Sequence, residues 1–247
     1  MILRLEQVSK SYPRRNGPKV ALDGVCLELA RGQMTGVFGP SGAGKTTLLR
    51  IAAGLRAPDS GTVTYNGVRF DQMSAAERMR LRRREIACVW AAQPGEDGLS
   101  VLEHVALPLL VDGRDHRAAD RAAREALLAC EADQCIGVEL HELSDGERQR
   151  VEIARALVAE PRLLLADGPA SSLSLVEQEG IMALLSSLAR EAKVAVLITD
   201  SDAKALLRAD PILYLRDGKL VDPDPISEGG RLYRFPPAES RRSARDA

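Results

Sequence analysis

No stretch of this chain approaches the roughly 18 consecutive apolar residues that cross a bilayer as a helix. The longest apolar runs, around Val105 to Val111 and Val194 to Ile198, are far shorter, which excludes a helical membrane span. There is no surplus of charge either: 34 lysines and arginines stand against 35 aspartates and glutamates, for a formal net charge of -1. That balance removes any global electrostatic case for nucleic acid. Cysteine is scarce. Cys26, Cys88, Cys130 and Cys135 lack paired metal-ligand spacing, and three of them lie in apolar stretches where a small hydrophobe fits, so they read as reduced, packed cytosolic thiols. The opening segment MILRLEQVSK is not a secretory signal. One local excess of positive charge, Arg78, Arg80, Arg82, Arg83 and Arg84, fits a solvated helix face.

What is present is a chain of 247 residues, 45% apolar, long enough for one large α/β domain with a full core. Strand-like apolar runs at Ile2 to Leu5, Val25 to Leu29, Thr35 to Phe38, Val63 to Tyr65, Ile86 to Val89, Leu163 to Ala166, Val194 to Ile198 and Ile212 to Leu215 alternate with helical segments, which predicts a parallel sheet. Four helix starts carry a serine followed three residues later by glutamate, the capping-box pattern: Ser74/Glu77, Ser100/Glu103, Ser144/Glu147 and Ser174/Glu177. Residues 91–160 lose the strand pattern and become rich in Ala, Leu and Arg, which predicts a helical insertion. After Val221 the composition turns to Pro, Gly and charge, so residues 222–247 read as a loosely held tail with Tyr233 and Phe235 as anchors.

The segment GPSGAGKTT, Gly39 to Thr47, fits G-x-x-x-x-G-K-[ST]. Its glycines let successive backbone N–H groups of Gly39, Ser41, Gly42, Ala43 and Gly44, interrupted by Pro40, turn inward around phosphate oxygens. Lys45 neutralises β/γ charge, Thr46 can ligate Mg²⁺, and Thr47 continues into the helix. A buried strand, Met34 to Phe38, precedes the loop, and TTLLRIAAGL opens a helix whose N-terminal dipole favours phosphate.

A second segment, LSDGERQRVEIARAL from Leu143 to Leu157, resembles the signature motif of ATP-binding cassette (ABC) ATPases. The phosphate loop, the following LLLAD strand and DGKL at Asp217 to Leu220 extend the resemblance to residue 221. ALDGV, GLRAPDSGTVTYNG and LRRREIACV look most like the lipoprotein-releasing and macrolide-export subgroup. The resemblance implies an α/β fold of the P-loop NTPase, RecA-like kind: a core sheet with an antiparallel β edge and an inserted α-helical subdomain at about residues 91–160, in a single ATP-binding domain over residues 1–221. It further implies ATP and Mg²⁺ as ligands, Tyr12 stacking on adenine, Thr46 and Asp167 on the metal side, and Ser144, Gly146 and Glu147 reaching the nucleotide of a partner across a head-to-tail dimer.

Departures from the family pattern fall together. The glutamate that serves as general base falls on Gly168, and the histidine that contacts γ-phosphate falls on Asp200. Either Asp200 turns away from the triphosphate or it weakens the closed state. The aspartate of the next loop falls on Ser174, and Asp145 replaces the first signature glycine. The glutamine that watches Mg²⁺ falls on Ala91 in a gapless reading, while a two-residue slip would bring Gln93 there and keep it as a metal-side candidate. The expectation is therefore a subunit that binds Mg-ATP and hydrolyses it weakly or not at all at its own site, with no confident catalytic residue. Its implied partners are an integral membrane permease and a second ABC ATPase subunit, a heterodimer being favoured over a homodimer, and its implied place is the cytoplasmic face of the membrane. A non-transport, ATP-switched regulator of a membrane partner is the alternative. A soluble cassette of DNA repair or translation fits worst, because there is no coiled-coil insertion, second cassette or continuous basic stripe.

Overall fold

Short apolar runs that alternate between two apolar surroundings build the centre of the molecule. The computed structural model describes residues 1–15, 17–90, 98–221, 226–228 and 231–233. The chain begins with β1 (Leu3–Tyr12), β2 (Lys19–Leu29), β3 (Met34–Phe38), α1 (Lys45–Ala52), β4 (Ser60–Tyr65) and β5 (Val68–Arg69). It continues through α2 (Ala75–Arg84), β6 (Ile86–Trp90), α3 (Val101–Val111), α4 (His116–Ala129) and α5 (Asp145–Leu157). Then come β7 (Leu163–Asp167), α6 (Leu175–Glu191), β8 (Ala195–Asp200), β9 (Ile212–Arg216) and β10 (Lys219–Val221).

A six-stranded sheet of order β10-β9-β3-β8-β7-β6 is parallel from β9 to β6, with β10 antiparallel on its edge. Its middle strands are buried on both faces, as the unbroken apolar runs of parallel strands require. Successive residues feed opposite layers. Leu163, Leu165, Ala195 and Leu197 join α1 and the second sheet, whereas Leu164, Ala166, Val196 and Ile198 join α6 and the helices of the insertion. The antiparallel portion, expected as an edge, is largely a sheet of its own, of order β2-β1-β4-β5.

All eight strand-like runs fall on strands, and all four Ser/Glu pairs form capping boxes, at the starts of α2, α3, α5 and α6. The described part of the insertion is helical, apart from an isolated bridge between Ser100 and Glu139. Its apolar residues belong to the same cluster as one face of the core sheet, so the insertion leans on that sheet instead of closing a separate core. The arginine-rich α2 buries no residue; Arg78 donates to the carbonyls of Phe70 and Met73, and Arg84 pairs with Asp112. In the tail, β11 (Ile226–Glu228) pairs antiparallel with β12 (Arg231–Tyr233), a two-stranded ladder separate from both sheets; Phe235 lies outside the described residues. Among the described residues no helix is long and apolar enough to cross a membrane.

The four cysteines are free, with Cys26 exposed and Cys130 and Cys135 buried. Burial pushes the Cys130 thiol up to about 12 and the Cys88 thiol up to about 11, and it also raises Cys135. A thiol reagent at about pH 8 is therefore expected to label Cys26 quickly and the other three slowly in the native protein, and all four quickly in denaturant. Timed labelling followed by mass spectrometry checks this, and fast native labelling of Cys130 would contradict the packing around α4.

Candidate functional site

Parallel register brings the carboxyl ends of three strands level. Phe38 on β3 lies opposite Asp200 on β8, and Asp167 on β7 lies opposite Thr199 on β8. Open α/β sheets bind ligands at this end, where a strand hands over to a helix. Here β3 leaves through Gly39, whose N–H donates to the Asp200 carbonyl at 3.2 Å, and the loop enters α1 at Lys45.

The shape of the loop is forced from outside it. Gly44 caps α1 with φ 113°, and a Cβ there would stand 2.1 Å from the Ala21 carbonyl oxygen on β2, so no other residue fits. The turn between β9 and β10 completes this junction: the Gly218 N–H donates to the Ala43 carbonyl at 3.1 Å, and the Asp23 N–H donates to the Gly218 carbonyl at 2.9 Å.

Above the loop opens a cleft of about 500 Å³. It brings together Tyr12, Ser41, Gly42, Gly44, Lys45, Thr46, Thr47, Asp167, Gly168 and Asp200 from four separate stretches of chain grouped around the strand ends. Gly39 and Ala43 lie buried beneath it, and Pro40 is exposed on the loop's outer turn. Lys45 folds back into the loop, its Nζ donating to the carbonyls of Gly39 (2.5 Å) and Pro40 (3.1 Å) and to Ser201 Oγ (3.2 Å). Burial lowers the Lys45 ammonium below the usual lysine range, while the charges of Asp167 and Asp200 oppose that shift. Asp167 is gripped by two hydroxyls, Thr46 Oγ1 on one carboxylate oxygen and Thr199 Oγ1 on the other, both at 2.6 Å. A hydroxyl and a carboxylate converging in this way form an oxygen donor pair suited to Mg²⁺. At the mouth, the Tyr12 ring has the Lys10 ammonium and the Arg56 guanidinium each 5.9 Å from its centroid.

Gly168 follows Asp167 directly and lines the cleft without a side chain. Its backbone is left-handed, φ 56°, with its carbonyl accepting from the Ser171 N–H and hydroxyl. Asp200 is buried, and its Oδ1 accepts from the Asp202 N–H at 2.9 Å. It is partly turned into this local bond yet still lines the cleft.

The signature residues do not reach this cleft. Ser144 sits exposed at the start of α5, where its hydroxyl accepts from the Glu147 N–H and donates to the Glu147 carboxylate, which also accepts from the Ser144 N–H. Glu147 is thus committed to the helix's own cap, and these bonds hold its carboxyl below the usual glutamate range. Gly146 is buried against Glu177 of α6, whose carboxylate oxygen would stand 2.6 Å from an added Cβ. With Asp145 exposed in the first turn, this helix end presents negative charge where a phosphate would seek the positive end of the dipole. Ser174 is the N-cap of α6. Ala91 and Gln93 lie outside the described residues. Arg14, Lys19, Arg50, Ser171 and Ser201, which belong to no nucleotide motif in the sequence, also line the cleft. Of these, only Arg14 and Lys19 carry a signal in the sequence, as part of a basic cluster with Arg15 around Gly17 and Pro18.

Residues 22–171 match the family model described as ABC transporter. The lipoprotein-releasing system ATP-binding protein LolD of Acinetobacter baylyi is 35% identical over 223 residues, covering 90% of this chain and 98% of that protein. Among solved structures, the dimeric bacterial ABC transporter cassette MJ0796 is similar, with TM-score 0.81 and 31% identity over 89% of this chain and 96% of that one. A post-hydrolysis dimer of the same cassette, bound to ADP and Pi, gives TM-score 0.81 and 30% identity over 94% and 98%. CbiO1 of Clostridium perfringens gives 0.79 and 27% over 89% and 86%.

The left-handed backbone at Gly168 makes a stability prediction. Gly168→Ala adds a Cβ in a region that costs an L-residue about 1–2 kcal/mol, so chemical denaturation should show a loss of that size. An unchanged midpoint would mean that the backbone relaxes out of the left-handed region.

Proposed function

The chain belongs to the ABC transporter family, and from that premise we propose that it is the ATP-binding subunit of a membrane complex, one that captures Mg-ATP and closes on a second cassette while cleaving nucleotide weakly or not at all at its own site. The observation that carries the reading is the coexistence, in one cleft, of a complete gripping set with an empty general-base position. Lys45, Thr46 and Asp167 stand beside Gly168. Capture needs only positioned charge and backbone donors. Cleavage also needs a group to take a proton from the attacking water, a contribution of about 10²- to 10⁴-fold.

The remaining roles follow from placement. In this reading Tyr12, at the mouth, stacks on the base, and Ser41, Gly42 and Gly44, which line the cleft, face the phosphates. Bound Mg²⁺ would supply charge neutralisation between the phosphates and Asp167, with Thr46 as its second protein ligand. Ser144, exposed and outside the chain's own cleft, is available to the nucleotide of a partner cassette, with Gly146 packed just behind it in the same helix start, a geometry supported by the dimeric relatives. A partner with its own intact glutamate would make one competent composite site in a heterodimer, so a heterodimer fits a working pump better than a pair of these chains. The likeness to LolD, named for a lipoprotein-releasing system, supports a permease partner and a place on the cytoplasmic face of the membrane, with residues 1–221 as the ATP-binding domain.

Purified protein should bind Mg-ATP, lose that binding in Lys45→Ala, and turn over about 10²- to 10⁴-fold more slowly than a cassette carrying the glutamate. Gly168→Glu should recover no more than about tenfold, because the new side chain starts from a left-handed backbone and Asp200 remains. Calorimetric titration and a phosphate-release assay measure both quantities. Multiple turnover at ordinary cassette rates by the isolated chain would sink the reading.

A further inference from the structure

Asp200 leaves the inner cleft with a charge problem. Lys45 is the single cation of the phosphate loop, and Asp167 and Asp200 face it in the same cleft, so until Mg²⁺ binds at Asp167 one positive charge stands against two negative ones. That balance is a poor receptor for a polyphosphate. The rim reverses it: Arg14, Lys19 and Arg50 line the same cleft, bringing the total to four cations against two carboxylates. None of the three takes part in any ion pair among the described residues, so no carboxylate among those residues is paired with them.

Lys19 is the best placed of the three. Its Nζ stands 3.2 Å from the point that a Cβ on Gly42 would occupy, which puts the ammonium against the phosphate loop itself. Its backbone is fixed by two constraints. Lys19 is the cross-strand partner of Tyr12 in the β1–β2 ladder, and it lies two residues before Ala21, whose carbonyl is pressed against Gly44. The hairpin therefore presents an aromatic ring and an ammonium from one rung, the ring at the mouth and the cation over the loop.

We propose that Lys19 is a second phosphate-contacting cation, delivered from outside the loop and facing the same polyphosphate as Lys45, and that it offsets Asp200 so that the cleft accepts a nucleoside triphosphate. The assignment rests on the nucleotide-binding reading above and adds to it a residue outside the loop, paired with the acidic substitution inside the cleft. Arg14 and Arg50 contribute longer-range charge, which salt screens more readily.

The test titrates the full chain with Mg-ATP at low and high salt. It compares wild type with Lys19→Ala, Lys19→Arg, Asp200→Asn and the double variant Lys19→Ala/Asp200→Asn, with melting temperatures to confirm folding. Lys19→Ala should weaken binding about tenfold at low salt, the loss of one hydrogen bond to a charged group, and less at high salt. Lys19→Arg should stay within about twofold of wild type, because the charge and donor are kept. Asp200→Asn should tighten binding and, in the double variant, recover most of the loss. If wild type binds Mg-ATP and Lys45→Ala abolishes it while Lys19→Ala binds like wild type, the role of Lys19 is refuted and the nucleotide site stands. A loss in Lys19→Ala that is independent of salt and untouched by Asp200→Asn also overturns the proposal. Wild type that fails to bind Mg-ATP removes the nucleotide reading itself.

Discussion

The Ala21 carbonyl oxygen occupies the space that a side chain on Gly44 would need, and the rest of the cleft depends on that approach. A phosphate loop is usually read as a local object, a strand, a glycine turn and a helix. Here its curvature is set by a strand of the other sheet and by the Gly218 turn, which bonds to Ala43 on one side and Asp23 on the other. The seam fixes the antiparallel sheet to the parallel one beside the loop. Because β2 is pinned there, the hairpin that carries Tyr12 and Lys19 has a fixed height above the loop, and the mouth and floor of the cleft keep one spacing.

The strand ends show how gripping and cleaving are separated within a few residues. Asp167 is held on both oxygens, by Thr46 from α1 and by Thr199 from β8, so its orientation is determined before any ligand arrives. The next residue along each strand departs from that order. After Asp167 the backbone turns left-handed at Gly168, and after Thr199 the Asp200 carboxylate spends one oxygen on the Asp202 N–H. The binding carboxylate is fixed by hydroxyls from two elements, whereas Gly168 opens a turn and Asp200 closes β8 with its carboxylate bonded to the turn that follows.

The sequence disclosed what is decided locally. Unbroken apolar runs marked β3, β7 and β8, and a serine three residues before a glutamate marked four helix starts, because each signal is complete within a few residues. The phosphate loop was legible for the same reason. Lys19, Arg14 and Ser201 were not, since they reach the cleft only after β1 and β2 pair and β8 docks beside β3. The backbone of Gly168 was hidden too: glycine announces freedom, not the sign of φ. Glu147 carries two signals at once. Its place in a nucleotide motif and its place in a capping box are the same letters, and the structure spends its carboxylate on the helix.

Reliance on one capping device has a consequence for acidity. Glu77, Glu103, Glu147 and Glu177 are all held below the ordinary glutamate value of 4.5, chiefly by hydrogen bonds from their partner serines. A carboxylate depressed in the folded state adds stability above its unfolded value and loses it as pH falls through the folded one. The starts of α2, α3, α5 and α6 therefore weaken in the same acidic window, below about 4.5, instead of one after another. Two of them, α5 and α6, meet where Gly146 touches Glu177, so the face bearing the signature residues softens as a unit when the surroundings turn acid.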